Sequence, residues 1–217
     1  MYKTVVFDLD GTLLNTLTDL ADAGNRLCRK YGWPTHEPPA YRYFVGNGIP
    51  KLVERLAPAD QRTPAVLEAA LADFKRDYGQ HLRDTTAPYP GIPEMLAKLK
   101  ANGVQLAVFS NKADALAKEV VKDYFGTQYF TIVRGQMTGV APKPAAEGTN
   151  ALLQALHADP ASTLYVGDSN VDVETAHNAN LPCCGAVWGF RTREELNAAG
   201  AEYLAENSDE LYDVIMK

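Results

Sequence analysis

Short, nearly continuous apolar runs recur along the chain at 4–8 (TVVFD), 104–110 (VQLAVFS), 129–133 (YFTIV), 163–167 (TLYVG) and 184–188 (CGAVW), with a weaker one at 202–205 (EYLA). They are too short for helices and rich in β-branched and aromatic residues, so they predict strands. Helical spacing lies between them. Ile92, Met95, Leu96 and Leu99 follow i, i+3, i+4, i+7, and Asn102-Gly103 supplies a stop. Ala151, Leu152, Ala155 and Leu156 form a second stripe, and Ser208 opens a third helix as its N-cap, with acids in the first turn. Strands alternating with helices, and apolar on both sides, predict an α/β fold with a Rossmann-like parallel sheet covered by helices on both faces.

One region breaks the alternation. No strand pattern occurs between 16 and 85, where Leu17, Leu20, Ala21 and Leu27 predict one helix, Leu52, Val53 and Leu56 another, and 66–82 a third, with proline-rich separators such as 33–39 (WPTHEPP). The expected organisation is an α/β core built from 1–15 and 86–217, with a helical domain, 16–85, inserted after the first strand. The stretch 84–93 (DTTAPYPGIP) marks the return. There are no internal repeats.

Composition narrows the class only a little. The 217 residues are 46% hydrophobic and 22% charged, an ordinary globular balance. No apolar run approaches the ~20 residues of a membrane span, and the N-terminus carries no secretory pattern. Cys28 and the adjacent Cys183 and Cys184 form neither a ligand spacing nor an even framework, which predicts reduced thiols in a cytoplasmic protein. The net charge of −6 argues against nucleic acid as a partner, but not against a small phosphorylated metabolite, because a local cation can reverse the sign at one site. Membrane partners are not expected, and no oligomeric state is assigned.

In open parallel sheets, ligands bind at the carboxyl ends of the strands. Those ends carry Asp8 and Asp10, then Ser110, Asn111 and Lys112, then Asp168, Ser169 and Asp172. Lys143 lies in the loop before the Ala151 helix. Asp8 and Asp10 stand at i and i+2 of an extended segment, so they point the same way. Gly11 permits a tight turn whose amides, Leu9 to Thr12, could form an anion nest. Converging carboxylates suit Mg²⁺, which shares its shell with water and a substrate phosphate. Phosphoryl transfer uses that arrangement, with an aspartate nucleophile and a second aspartate as acid and base.

These residues resemble the motifs of the haloacid dehalogenase (HAD) superfamily of aspartate-nucleophile phosphatases, over essentially the whole length: Asp8-Leu9-Asp10-Gly11-Thr12, Ser110-Asn111, Lys143-Pro144, and Gly167-Asp168-Ser169 followed by Asp172. The stretches FVGNGIPKLVERL and VWGFRTREEL are similar to the phosphoglycolate phosphatase group within it. The resemblance implies that Asp8 is the nucleophile and a metal ligand. It makes Asp10 the acid/base and a ligand through its backbone carbonyl, and Asp168 a direct ligand. Asp172 would support the metal through water, while Ser110, Asn111 and Lys143 bind phosphate. The insertion becomes a mobile cap that closes over the site, with Gly46, Asn47 and Gly48 as the substrate contact. Three positions depart from the pattern: Asn15 in place of an acid, Ala146 in place of a proline and Asn180 in place of a glycine.

D-x-D-G-T fixes four residues and arises by chance on the order of once per 10⁵ start positions. The other motifs are weak alone: G-D-S reads as a strand-to-helix turn with a capping serine, Ser-Asn as an N-cap and Lys-Pro as a solvated loop. Their order gives them weight. Lys112 reads as a surface lysine at least as readily as a substrate contact, and Arg191 as a surface residue ahead of a contact for an anionic substrate tail; Cys183 and Cys184 read as packing, Trp188 and Phe190 as covers of the sheet end, and no histidine as a ligand. The expected function is Mg²⁺-dependent hydrolysis of a small phosphomonoester, 2-phosphoglycolate foremost, through an aspartyl-phosphate. A sugar-phosphate mutase or phosphonate hydrolase of the same superfamily is the alternative; the latter needs an imine-forming cap lysine, and Lys30 and Lys51 lie in the insertion without a recognisable imine-forming context. A dehalogenase is disfavoured by Asp10. A non-catalytic metabolite-binding module is the alternative of another class.

Overall fold

The computed structural model describes all 217 residues, Met1–Lys217. The chain divides into two compact units, one of Met1–Asn15 with Pro88–Lys217, the other of Thr16–Ala87. No helix is long and apolar enough to cross a membrane.

The first unit is built on a six-stranded sheet. Its strands are β1 (Thr4–Phe7), β4 (Gln105–Ala113), β5 (Phe130–Gln136), β6 (Thr163–Gly167), β7 (Cys183–Ala186) and β8 (Tyr203–Ala205). Two short strands, β2 (Leu14–Asn15) and β3 (Ala87–Pro88), lie where the chain leaves the core and returns. The spatial order is β5-β4-β1-β6-β7-β8, and every pairing is parallel. This is the doubly wound order, whose direction of winding reverses between β1 and β6.

Helices α5 (Ile92–Ala101), α6 (Asp114–Phe125), α7 (Ala146–Leu156), α8 (Asn170–Asn178), α9 (Arg193–Ala199) and α10 (Ser208–Met216) complete the unit. All four residues of β1 are buried, as two covered faces require. Val6, Ala107 and Tyr165 share one face and pack with Leu152, Leu156, Val173, Ala176 and Leu196 of α7, α8 and α9. Phe7 points to the opposite face, where its ring meets Phe130 edge-on and Phe130 meets Phe125 of α6. Cys183 and Cys184 are buried free thiols within β7.

The second unit is helical throughout: α1 (Leu17–Tyr31), α2 (Pro38–Phe44), α3 (Ile49–Leu56) and α4 (Pro64–Gln80). Leu27, Phe74 and Tyr78 are buried between α1 and α4. Tyr41 of α2 is fully buried against Gly24, and its hydroxyl donates to Asn25 Oδ1 at 3.0 Å. A buried carboxylate ties the two ends of this unit together. Asp19, in the first turn of α1, accepts from the backbone and hydroxyl of Thr85 (2.8 and 2.5 Å) and of Thr86 (2.9 and 2.7 Å).

Several local expectations are corrected. Helix α2 lies partly inside the proline-rich stretch expected to be a separator: Pro38 occupies the first helical turn, where its missing N–H costs nothing. Helix α7 starts at Ala146, five residues before the Ala151 stripe. The N-cap of α10 is Asn207, whose carboxamide accepts from the amides of Asp209 and Glu210, while Ser208 is already helical. Asn180 adopts a left-handed backbone with φ of 56°, the conformation a glycine would supply and one that Asn tolerates.

Candidate active site

The parallel register aligns the strand ends. Phe7 stands beside Val108 and Val166, so the residues that follow, Asp8 after β1 and Asp168 after β6, emerge on one rim at the switch point. Asp8 donates its N–H to the Val166 carbonyl at 2.8 Å, which holds the first carboxylate against β6. Gly11 then turns the chain with φ of 94°, a region costly for any residue with a Cβ. A Cβ there would also fall on the Asp168 carboxylate, and one on Gly189 would fall on the Asp168 Cβ. Two glycines thus let the backbone close around Asp168.

The expected anion nest is smaller than the sequence suggests. Gly11 donates to the Leu14 carbonyl at 2.8 Å and Thr12 to the Leu9 carbonyl at 3.3 Å, so those two amides are spent closing the turn.

Strand β4 runs past the sheet rim, and its pairing with β5 shifts register between Phe109 and Ala113. Regular alternation would send every second side chain to the other face. Through the irregular segment Ser110, Asn111 and Lys112 are all buried, as a bulge that re-aims side chains allows. Ser110 Oγ accepts from the Lys112 amide at 3.2 Å. The Asn111 carboxamide clasps the backbone of Lys143, accepting from its N–H at 2.9 Å and donating to its carbonyl at 3.2 Å. The loop bearing the lysine is therefore pinned to β4, and the bond between Lys143 and Pro144 is cis.

Lys143 is the hub. Its buried ammonium contacts Asp8 Oδ1 and Asp172 Oδ1, each at 2.7 Å, and the Phe109 carbonyl and Tyr165 hydroxyl, each at 3.3 Å. Asp172 uses its other oxygen on the Ser169 amide (3.1 Å) and hydroxyl (2.7 Å), completing a capping box at the start of α8. Ser169 is thus a helix cap, and Asp172 has both oxygens engaged. Asp168 Oδ2 accepts from the Phe190 amide at 2.7 Å, and Oδ1 takes only a long bond, 3.3 Å, from Thr12. Trp188 lies over the turn and donates to the Thr12 carbonyl at 3.0 Å.

Two residues read as surface groups are not. Lys112 is buried, with its side chain 2% exposed, and its ammonium stands 3.1 and 3.4 Å from the two oxygens of Asp10. Arg191 is buried as well, and its charge acts on Asp168. Neither position betrays itself in the sequence, since a lone lysine or arginine near a turn is ordinarily solvated.

The electrostatics are unbalanced. Asp8, Asp10, Asp168 and Asp172 are four carboxylates facing three cations, the ammonium groups of Lys112 and Lys143 and the guanidinium of Arg191, a formal excess of one negative charge. Burial pushes the Asp8 carboxyl up to about 7 although Lys143 opposes the rise, with Asp172 and Asp10 adding repulsion. Burial and the charges of Asp172 and Asp8 hold Asp168 well above the carboxylate range. Burial works against the charge on Lys143, but the facing carboxylates of Asp172 and Asp8 outweigh it and raise its pKa.

This donor set fits a hard divalent cation. Asp8, Asp168 and Asp172 each offer an oxygen within 4.8 Å of the others. Oxygen-only donors with excess negative charge suit Mg²⁺ or a similar ion. The bonds already made leave Asp8 Oδ2 and Asp168 Oδ1 as the best-placed direct ligands, with Asp172 committed to Lys143 and Ser169.

Gly46, Asn47 and Gly48 lie in the second unit, in the turn between α2 and α3. Gly46 and Gly48 have φ of 113° and 81°. Asn47 Oδ1 accepts from Arg55 at 2.8 Å, and the same guanidinium donates to the Phe44 carbonyl at 2.8 Å. Lys30 and Lys51 are surface groups ion-paired to Asp73 and Glu54, unlike the buried free amine that imine formation requires.

Comparison with known proteins follows the same lines. The model of the haloacid dehalogenase-like hydrolases (HAD_2) matches residues 5–186. A phosphoglycolate phosphatase of Chromobacterium violaceum is 32% identical over 216 residues, 98% of this chain and 96% of that protein. Another, from Aquifex aeolicus, is 30% identical over 87% of this chain and 86% of its own length. A solved structure from Lactobacillus delbrueckii subsp. bulgaricus superposes with a TM-score of 0.93 at 28% identity, covering 99% of this chain and 98% of that one.

Proposed function

The chain belongs to the haloacid dehalogenase-like hydrolases, as a phosphoglycolate phosphatase-like phosphoric monoester hydrolase, and from that premise we propose that it cleaves 2-phosphoglycolate by Mg²⁺-dependent transfer of the phosphoryl group to Asp8. The observation that carries this reading is the Lys143 bridge, 2.7 Å to Asp8 and 2.7 Å to Asp172 in a buried setting. An ammonium so placed favours the ionised form of Asp8 beside other carboxylates and fixes the orientation of the carboxylate that attacks phosphorus.

Asp8, Asp168 and the Asp10 carbonyl would hold Mg²⁺, which would supply charge neutralisation for the phosphoryl group. The chain's own groups do the rest. The Asp8 carboxylate forms a bond to phosphorus as the ester P–O bond breaks, and the departing oxygen takes a proton from Asp10. Ser110, Asn111 and Lys143 bind the equatorial oxygens. In the second half, the Asp10 carboxylate takes a proton from water as that water attacks phosphorus. The electron pair of the Asp8–phosphorus bond then returns to Asp8, releasing orthophosphate. Gly46, Asn47 and Gly48 are the proposed substrate contacts of the helical unit.

Phosphate release from a panel of phosphorylated metabolites, with Mg²⁺ and with EDTA, tests the proposal. The expected result is highest kcat/KM on 2-phosphoglycolate, no turnover in EDTA, and a loss of at least ~10³-fold in Asp8→Asn. Retained turnover in Asp8→Asn removes the nucleophile, and a different leading substrate removes the specificity.

A further inference from the structure

Lys112 stands outside the motif residues to which the reading above gives roles, yet its burial requires a reason. Taking an ammonium out of water costs several kcal/mol after relaxation, and an uncharged chain of similar length would fill the same space without that cost. The chain keeps the charge, and the irregular end of β4 turns it inward. What it meets is both oxygens of Asp10, at 3.1 and 3.4 Å. Asp10 lies beyond the end of β1, in a turn with only an isolated bridge to Leu14, so the sheet does not hold its side chain. Its side chain is 14% exposed.

We propose that Lys112 is a positioning residue for Asp10, fixing the plane and reach of the carboxyl that carries the proton in both half-reactions. This rests on the acid/base reading of Asp10. The two lysines divide the work: Lys143 orients the carboxylate that forms the bond to phosphorus, and Lys112 orients the one that moves the proton. The ammonium itself keeps its protons throughout. Asp10 gives one proton to the leaving oxygen as the ester bond breaks, and recovers one from the attacking water as the Asp8–phosphorus bond breaks. A displacement of about 1 Å in such a group is worth ~10²-fold in rate.

The test is a double-mutant cycle in the full chain with Mg²⁺, using Lys112→Met, Asp10→Asn and the pair. Two substrates are compared by rapid mixing: 2-phosphoglycolate, whose leaving alkoxide needs a proton, and 2,4-dinitrophenyl phosphate, whose leaving phenolate does not. The expected outcome is a loss of about 10–100-fold in kcat for Lys112→Met on the first substrate, with KM within about twofold. The burst of dinitrophenolate should change by less than about threefold, and Lys112→Met should add nothing in the Asp10→Asn background. Lys112→Arg should recover part of the loss because it keeps an N–H donor. Equal losses on both substrates, a rise in KM, or the same loss in the Asp10→Asn background would assign Lys112 to the phosphate or to the fold and end the proposal. Full activity of Asp10→Asn on 2-phosphoglycolate is a separate result, and would remove the acid/base reading instead. If Lys112→Met does not fold, Lys112→Gln and Lys112→Arg carry the same cycle.

Discussion

Replacing Asp8 by Asn should make the metal-free protein more stable at neutral pH while destroying its activity. The Asp8 carboxyl is raised from 3.8 to about 7, first by burial, with the charge of Lys143 only partly offsetting it. Below about 4 the group is neutral in both folded and unfolded chains and costs nothing. Between there and about 7 the unfolded chain ionises while the folded one keeps its proton, so stability falls by about 1.4 kcal/mol per pH unit. Above 7 both are ionised, and the full penalty, about 4 kcal/mol, stands as an upper limit.

Asn imitates the neutral acid and leaves Lys143 its pair with Asp172. Thermal unfolding of both proteins in EDTA, from about pH 3.5 to about pH 8.5, should therefore show curves that meet near about pH 4 and diverge upward. Asn should be ahead by about 2–4 kcal/mol at pH 8, or ~4–15 °C for a chain of this size. Saturating Mg²⁺ should close or reverse the gap, since ligand at about a hundred times its Kd contributes about 2.7 kcal/mol to the protein that binds it. Parallel curves, or Asn below Asp at pH 8 without metal, would show that the carboxylates are not in conflict and would refute the electrostatic reading of the site.

Three other outcomes follow from individual contacts. Asp168→Asn should keep the fold but raise the Mg²⁺ concentration for half-maximal activity at least ~10-fold, read by metal titration of phosphate release. Gly189→Ala, which places a methyl on Asp168, should lower activity without changing KM and cost about 1–3 kcal/mol in urea unfolding. Asp19→Ala removes the acceptor of four hydrogen bonds and strands the buried amide and hydroxyl of Thr86, so it should cost about 3 kcal/mol and expose residues 16–20 and 84–87 to hydrogen exchange first.

Much of the architecture is legible in hydrophobic periodicity. All six sheet strands appear as short apolar runs, and β6 coincides with its run residue for residue. Both faces of these strands are covered, so burial writes itself into composition. The misses have local causes. Helix α2 hides behind Pro38 and Pro39, which read as breakers although a helix accepts proline in its first turn. The cap of α10 lies one residue upstream of the serine because Asn207 holds the extended backbone that capping requires. The turn after Asp8 keeps fewer inward amides than its glycine suggested, because its hydrogen bonds close on themselves.

The sequence by itself determined which chemical groups the protein possesses and the strand or helix terminus from which each departs. It could not decide how those groups pair. Lys143 reaches Asp8 across 135 positions and Lys112 reaches Asp10 across 102, Asp172 divides itself between a lysine and a helix cap, and Lys112 and Arg191 leave the solvent. The reason is that periodicity and propensity act over a few neighbouring residues, whereas Coulomb energy and desolvation depend on separations through space. Those separations exist only once the parallel register between β1, β4 and β6, and the irregular end of β4, have brought distant strand ends to one rim.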